Sequence, residues 1–523
     1  MPLPSLKKAF KLFALLCVVG FPAKAQPQAL PPDAVCPDWE SEVPLVVYPD
    51  TAMTRLYYAT WKTAAGRVRR GPEGLPASPY LDENCYDDQI WIWDTCFMTL
   101  FTKYCPSAFP GKESMLNCYV PILDHKPTPL KIHLRDNPPL FPWVEEAYYR
   151  FTGDKRQARM VALERRYLQR HFEYFDTVPK GQVDTLVSIA YNPIHRDVVR
   201  DATGRILGYT WGGNASGMDN TTRGEAVGGR DSILWVDAIS QQALGALSIS
   251  RLAKALGDKR EARRWKARYD SIRDVVNQLY WDERDGYYYD ISVKTHEPCR
   301  VMTPASFWAM LAEIPTPAQA ARMVRYLRDE RYMGGHFPWN SLARTDPAFD
   351  AATGDYWRGG VWLPVAYMGT KALERYGYYG LADTLAARVV GQQLRTWQHY
   401  EPHTIWETYS PSADLPSTEW GHRVRPDFCG WSALGPISLF IENIMGFRRV
   451  DAPGRTVVWD IKAANGTHGL RRLRFGGITC DLVYNAATQC VEASTDHSFM
   501  LVANGQRFQI GRGTSSHRLK ARP

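Results

Sequence analysis

Several things are scarce in this 523-residue chain, and each scarcity removes a class of protein. Beyond the N-terminal run LFALLCVVGF, no stretch approaches the roughly 18 consecutive apolar residues of a membrane-spanning helix. There is no G-x-x-x-x-G-K-[ST] loop, no G-x-G-x-x-G fingerprint and no H-E-x-x-H helix, so phosphate-cradling, dinucleotide and zinc-protease chemistry have no carrier. The ten cysteines match no zinc spacing. No redox or organic cofactor is expected, and a structural calcium ion leaves no mark in a sequence of this kind.

Positive charge is present but does not point to nucleic acid. Part of the formal +8 belongs to the extreme N-terminus. The densest basic run, DKREARRWKARYDSIRD, sets Trp265, Ile272, Val276 and Leu279 near one face, the pattern of a helix with a solvated charged side. At the start, Lys7, Lys8 and Lys11 precede the apolar run, and Ala23-Lys24-Ala25 precedes Gln26, which fits an export peptide cleaved after Ala25. Leu16 before Cys17 disfavours a lipoprotein anchor. The mature chain is therefore expected to be exported, periplasmic or secreted, with no membrane partner. Nine cysteines remain after cleavage, an odd number, and Cys480 and Cys490 are a candidate local pair.

What is abundant is helical periodicity and aromatic side chains, including 18 Trp and 28 Tyr. After a Pro-rich lead (26–50), helical patterns run over 51–66, 89–104, 139–152, 155–176, 231–256, 259–281, 303–313, 317–330, 361–376, 380–399 and 431–446. Neighbours form hairpins, and a repeated helical hairpin predicts a closed or curved array with one set of helices more buried than the other. From about 449 to 523 the pattern changes to short strands and turns, a β-rich segment whose expected role is packing. The long spacers 178–230, 331–358 and 400–430 exceed ordinary connectors and are rich in Trp, Tyr, Gly, Arg, His, Asp and Glu, so they are expected to carry function.

Within these loops, carboxylates sit among aromatics and small turn residues. SGMDNTTR holds Asp219 and IWETYSP holds Glu407 beside Trp406. WIWDTCF places Asp94 beside Trp91 and Trp93, and NPPLFPW carries Trp143. YWRGGVW sets Arg358 between Trp357 and Trp362, and DFCGWSALGP carries Trp431. Aromatic rings stack on the apolar faces of a sugar while charged groups bind its hydroxyls, so together these tracts read as a sugar cleft. Taken singly, each has a plainer reading: an Asx turn for Asp219, a surface group for Glu407, core packing for any one Trp.

In order, WDTCF, the Asn-Pro-Pro of NPPLFPW, SGMDNTTR, YWRGGVW, IWETY and FCGWSALGP resemble the motifs of glycoside hydrolase family 63, the processing α-glucosidase type, and more distantly those of trehalases. The resemblance spans about 89–446. It implies an (α/α)6 barrel over 51–448, with the active site in loops at one end. It also implies an inverting mechanism with Asp219 as general acid, Glu407 as general base and Asp94 holding glycone hydroxyls. Trp93, Trp143, Trp357, Arg358, Trp362, Trp406 and Trp431 are then expected to line the sugar site. In such a mechanism the acid protonates the leaving oxygen while the base activates water across a gap of about 6.5 to 9.5 Å. Two departures affect substrate shape. The sizeable N-terminal β domain common in that family is absent or reduced to the lead, and a Thr of SGMDNTTR and Cys96 of WDTCF replace more usual residues.

The function expected is thus cleavage of a terminal α-linked sugar, an α-glucoside first, from an oligosaccharide or glycan. Three alternatives stay open: the same carboxylates acting on mannose, galactose or another glycone; a lyase using Tyr and His, with His195, His336 or His403; and a sugar-binding protein without catalysis.

Overall fold

A helix that is apolar on every side must be enclosed, whereas one with a single apolar stripe can lie outside it. A computed structural model describes residues 30–83, 88–184, 193–212 and 214–520, and its helices divide into these two kinds. The export peptide read at 1–25 lies outside the described residues. In chain order the principal helices are α1 (Thr51–Ala65), α2 (Ile92–Thr102), α3 (Leu116–Asp124), α4 (Phe141–Thr152), α5 (Tyr167–Thr177), α6 (Val236–Ala255), α7 (Lys259–Leu279), α8 (Phe307–Leu311), α9 (Pro317–Val324), α10 (Leu363–Arg375) and α11 (Tyr379–His399). A last segment, Gly435–Ile444, is wound as a π-helix.

The even-numbered helices and the π-helix form an inner ring. Each packs on the next, from α2 through α4, α6, α8 and α10 to the π-helix, which closes back onto α2. Every residue of α2 and of α8 is buried. The odd-numbered helices alternate with them in sequence and lie outside. α7 is typical: Trp265, Tyr269, Ile272 and Val276 are buried along one stripe, and the Asp258 side chain caps its start by accepting from the Glu261 amide at 2.9 Å. The chain is mainly helical, at 39 %.

Periodicity misplaces some boundaries. The pattern over 155–176 predicts one helix, but the chain forms a short helix (Lys155–Arg159), a π turn (Met160–Glu164) and then α5. Arg166 takes the left-handed conformation, φ 53°, and reaches Glu261 at 2.9 Å while the Gln169 amide donates to the Ala162 carbonyl. These contacts hold the break. Periodicity does not predict α3, because Pro121 sits inside it, where proline removes a ladder hydrogen bond.

The C-terminal β-rich region is present, as two sheets. One is ordered Leu45–Val47, His468–Phe475, Ile478–Asn485, Cys490–Thr495, Gly513–Arg518, and the other Arg449–Asp451, Thr456–Trp459, Phe499–Ala503, Gln506–Ile510. Part of the Pro-rich lead therefore supplies an edge strand to the C-terminal sheet, pairing Val46 with Leu470. The candidate Cys480–Cys490 disulfide is corrected by register. Cys480 lies opposite Thr495 and Cys490 opposite Asn485, at opposite ends of one hairpin, and both thiols are free. Cys85 lies outside the described residues.

One buried ion cluster fixes the loop after α5 to the ring. Arg223 donates to both oxygens of Asp237, in the first turn of α6, at 2.7 and 2.8 Å, and to both oxygens of Asp290 at 2.6 and 2.7 Å. Its guanidinium also lies 4.2 Å from the Trp235 ring. With two carboxylates against one bidentate guanidinium in a buried site, removing Arg223 leaves two negative charges buried without their cation. Arg223→Met is expected to lower unfolding free energy by about 3 to 5 kcal/mol, read by urea denaturation. A loss below about 1 kcal/mol would show that the cluster does not hold this loop.

Candidate active site

The N-terminal ends of the inner helices and the long loops above them enclose a cavity of about 190 Å³. This is small beside the roughly 300 to 1,000 Å³ of sites for drug-sized ligands, and suits a single ring. Trp93, Asp94, Asp219, Glu407, Trp362 and Trp431 all line it. Asp219 and Glu407, carried by loops far apart in the chain, therefore face one space.

Each is delivered by a distinct local device. Asp94 stands in the first turn of α2, and the Trp93 amide donates to Asn137 Oδ1 at 3.5 Å. Asn137 is the Asn of NPPLFPW, and its Nδ2 donates to the Ala215 carbonyl at 3.1 Å, tying the start of α2 to the Asp219 loop. That loop turns at Gly217, φ 77°, where a Cβ would lie 3.5 Å from the Trp93 ring. Ser216 Oγ accepts from the Met218 amide at 3.1 Å. Asn220 clamps the next loop, donating to the Asp355 carbonyl and accepting from the Trp357 amide, each at 2.8 Å. Small polar side chains in this tract thus hold a turn that presents Asp219.

Glu407 is held differently. Tyr356 donates its hydroxyl proton to Oε1 at 2.8 Å, Arg425 Nη1 reaches both oxygens at 3.1 Å, and the Arg425 amide donates to Oε2 at 3.3 Å. The Trp431 indole donates to the Glu407 carbonyl at 2.7 Å, so this aromatic wall and the carboxylate are fixed together. A carboxylate that accepts several charged or polar donors is stabilised as the anion.

Asp219 has the opposite surroundings: no described residue donates a hydrogen bond to its carboxyl. Its pKa is raised to about 7, first by burial, then by the negative charges of Glu419 and Glu407, against a smaller pull from Arg230 and Arg425. Asp94 is held well above the usual carboxylate range, chiefly by burial, with Glu407 adding to it. His133 also lines the cavity and stacks on Trp91 at 4.5 Å, and burial lowers its pKa to about 4, leaving it neutral.

Other expected residues lie further out. Trp357 is buried and stacks on the back of Trp362, 3.9 Å away and 7° from parallel, as a second layer. Trp406 is fully buried against Tyr400, and Trp143 lies in the barrel interior against Phe97 and Trp308, so neither lines this cavity. Arg358 contacts Glu225 at 3.6 Å and faces an adjoining surface hollow. A tryptophan's neighbours in sequence do not tell which of its faces is open, so the motifs alone place all of these positions at the lining.

Four contributors escape the sequence reading: Glu419, Tyr356, Arg425 and His133. Glu419 lies on a two-stranded hairpin (Thr418–Glu419, His422–Arg423), and Trp420 at its tip is 73 % exposed. The tract S-T-E-W-G bears the same pairing of carboxylate with Trp and turn glycine used for the other loops, and could have been found by it. The lyase candidates stand elsewhere. His195 lies 3.9 Å from Asp136, His336 contacts Arg395, and His403 contacts the Trp397 carbonyl, none of them in the cavity lining. Among the described residues no cluster of His, Cys, Asp and Glu could hold a metal ion, and no helix is long and apolar enough to cross a membrane.

A double ring of helices carrying paired carboxylates above one end defines a sugar-hydrolase architecture, and comparison with known proteins is specific. Residues 195–423 match a family model described as the mannosylglycerate hydrolase MGH1-like glycoside hydrolase domain. The chain is 32 % identical over 404 residues to an uncharacterised protein of Borreliella burgdorferi, covering 73 % of this chain and 76 % of that one. It is 26 % identical over 298 residues to a probable mannosyl-oligosaccharide glucosidase of Schizosaccharomyces pombe, covering 53 % of this chain and 34 % of the yeast protein, so that relative is matched over about a third of its length. Among solved structures, a sialidase superposes with TM-score 0.66 at 14 % identity over 91 % of this chain and 40 % of its own. The family 63 mannosylglycerate hydrolase of Thermus thermophilus superposes with TM-score 0.52 at 18 % identity, over 73 % of this chain and 99 % of its own. The chain belongs to glycoside hydrolase family 63.

The Asp219 environment has a stability consequence with a definite sign. An acid whose folded-state pKa exceeds its unfolded value opposes folding once pH passes the unfolded value, and fully so above the folded one. Asp219→Asn is therefore expected to raise the melting temperature at pH 8, with the difference shrinking toward zero near pH 4. Thermal unfolding across that range checks this, and an Asn variant less stable than the parent at pH 8 would contradict it.

Proposed function

We propose that the chain is an inverting glycoside hydrolase that removes a terminal α-linked sugar, an α-glucoside first, from an oligosaccharide or glycan. The double ring of helices supports reading the scaffold as an (α/α)6 barrel. The carrying observation is the contrast across one cavity: burial and the neighbouring Glu419 and Glu407 charges raise the Asp219 pKa to about 7, while the Glu407 carboxylate accepts hydrogen bonds from Arg425 and Tyr356. Asp219 then protonates the departing glycosidic oxygen. Glu407 takes a proton from water attacking the opposite face of the anomeric carbon, and the bond to the leaving group breaks as the bond to water forms. Asp94, at the cavity wall, binds glycone hydroxyls, and Trp93, Trp362 and Trp431 form its aromatic sides. The small volume of the cavity, about 190 Å³, favours attack on a chain end. The export signal read from Lys7 to Ala25 supports a substrate met outside the cytoplasm.

A second reading keeps the two carboxylates and changes the glycone to mannose. It is favoured by the description of the domain matched over 195–423. A panel of α-glucosides, α-mannosides and mannosylglycerate, with the product anomer followed by proton NMR, decides between them. A β-anomer released first from an α-linked substrate fits inversion; an α-anomer released first contradicts it.

Asp219→Asn and Glu407→Gln are each expected to lower kcat by about 10²- to 10⁴-fold while the far-UV circular dichroism spectrum is unchanged. Near-parent turnover in either variant removes that residue from its role. Glu419 contributes the largest neighbouring charge raising Asp219, so Glu419→Gln is expected to move the alkaline limb of kcat/KM to lower pH. A limb that does not move, measured on the same substrate, would mean that Glu419 does not tune the acid.

A further inference from the structure

The opposite end of the barrel holds a second, larger cavity of about 570 Å³, within the range of small-molecule sites. It is bounded by the C-terminal ends of inner helices α2, α4, α6 and α10 and the π-helix on one side, and by Arg449, Val450 and Val458 of the C-terminal β region on the other. Seven Lys or Arg side chains line it against three Glu. Part of this excess answers the helix ends, since each C-terminus carries partial negative charge that cations near the last turn offset. Much of it is also neutralised locally: Lys103 and Lys371 each bind Glu442 at 2.8 Å, and Arg448 is held by Asp383 and Asp460.

What these structural roles leave over is an orphaned pair at the wall. Arg251 gives one amine to both oxygens of Glu313 at 2.8 Å, but its Nη1 is buried with no partner. Glu146 is 4 % exposed and binds Arg150 through Oε1, yet its Oε2 has no partner. A buried donor and a buried acceptor left unmet cost free energy, and together they match a hydroxyl that accepts from one and donates to the other. Beside them stand Trp143, Tyr367 and the 47 % exposed Tyr379, and the guanidinium groups of Arg375, which also meets Glu313 at 3.3 Å, and of Arg449 line the same cavity. Hydroxyl-matching polar groups, aromatic faces and guanidinium donors are the features that recognise a sugar carrying an anionic group.

We propose that this far cavity is a second ligand site, separate from the hydrolytic one, for a small anionic sugar such as a sugar acid or sugar phosphate. An aromatic column divides the two cavities along the barrel interior. Tyr367 lies 6.4 Å from Trp143, Trp143 lies 6.1 and 5.7 Å from Phe97 and Trp308, and these lie 5.0 and 6.3 Å from Trp93. Trp93 lines the hydrolytic cavity, so a ligand against Trp143 stands one ring layer away from a residue of that cavity.

The test is titration of the whole protein by calorimetry with glucuronate, glucose 6-phosphate, glucose and inorganic phosphate as probes. One saturable site is expected for glucuronate or glucose 6-phosphate, at least tenfold tighter than for glucose or phosphate alone. It is expected to persist in Asp94→Asn, which alters the hydrolytic cavity, and to weaken at least tenfold in the Arg375→Gln/Arg449→Gln double variant, whose melting temperature is measured to confirm folding. The alternatives overturn the proposal. Absence of saturation with both anionic sugars, equal affinity for glucose, or equal affinity for phosphate leaves the cations as helix-end neutralisers alone. Loss of binding in Asp94→Asn assigns it to the hydrolytic cavity. Should the double variant fail to fold, quenching of Trp fluorescence in the parent and in Trp143→Phe reads the same site: a ligand-induced change present in the parent and kept undiminished in Trp143→Phe contradicts it.

Discussion

Two carboxyl groups that share a small cavity cannot both be ionised cheaply, and the structure resolves that constraint by giving them unequal surroundings. Glu407 receives a tyrosine hydroxyl, a guanidinium and a backbone amide, so its charge is met from three directions. Asp219 receives none of these and faces Glu419 and Glu407, so keeping its proton is the least costly state in its half-buried position. The proposed division into acid and base rests on this difference, not on any intrinsic distinction between Asp and Glu.

The scaffold makes the difference stable. A carboxyl in an unfavourable environment persists only when the chain around it is over-determined. Here the Asp219 turn is tied to α2 through Asn137, to the Asp355–Trp357 loop through Asn220 and to α6 through Arg223. Glu407 is fixed from behind, its carbonyl bonded to the Trp431 indole and its amide to the Arg425 carbonyl. The inner helices need only hold their N-terminal ends in a ring, and the loops above carry the chemistry. Stability and reactivity are therefore partly opposed at Asp219, as is common where a functional group is held away from its preferred charge state.

Much of this is legible without coordinates. Outer helices such as α7 announce themselves by an apolar stripe, and inner ones such as α6 by the near absence of charge. The six ordered motifs locate both carboxylates and Asp94. What cannot be read depends on contacts made across the fold. Whether Trp143, Trp357 and Trp406 look into the cavity or away from it is decided by packing against Trp308, Trp362 and Tyr400, contacts whose geometry no local pattern specifies. The break at Arg166 depends on Glu261 in another hairpin. Cys480 and Cys490 look close along the chain, yet strand register carries them apart. Glu419 is within reach, because its Trp and Gly neighbours repeat the signature of the other loops, but a two-residue strand gives almost no periodic signal.

The central claim is that Asp219 holds its proton close to neutrality. Carbon-13 NMR of side-chain carboxyls in the labelled protein, titrated from about pH 3 to 9 with Asp219→Asn and Glu407→Gln used for assignment, measures this directly. The account predicts one resonance, lost in Asp219→Asn, that titrates near pH 7. An Asp219 carboxyl fully ionised by about pH 5, as an unperturbed aspartate would be, contradicts it.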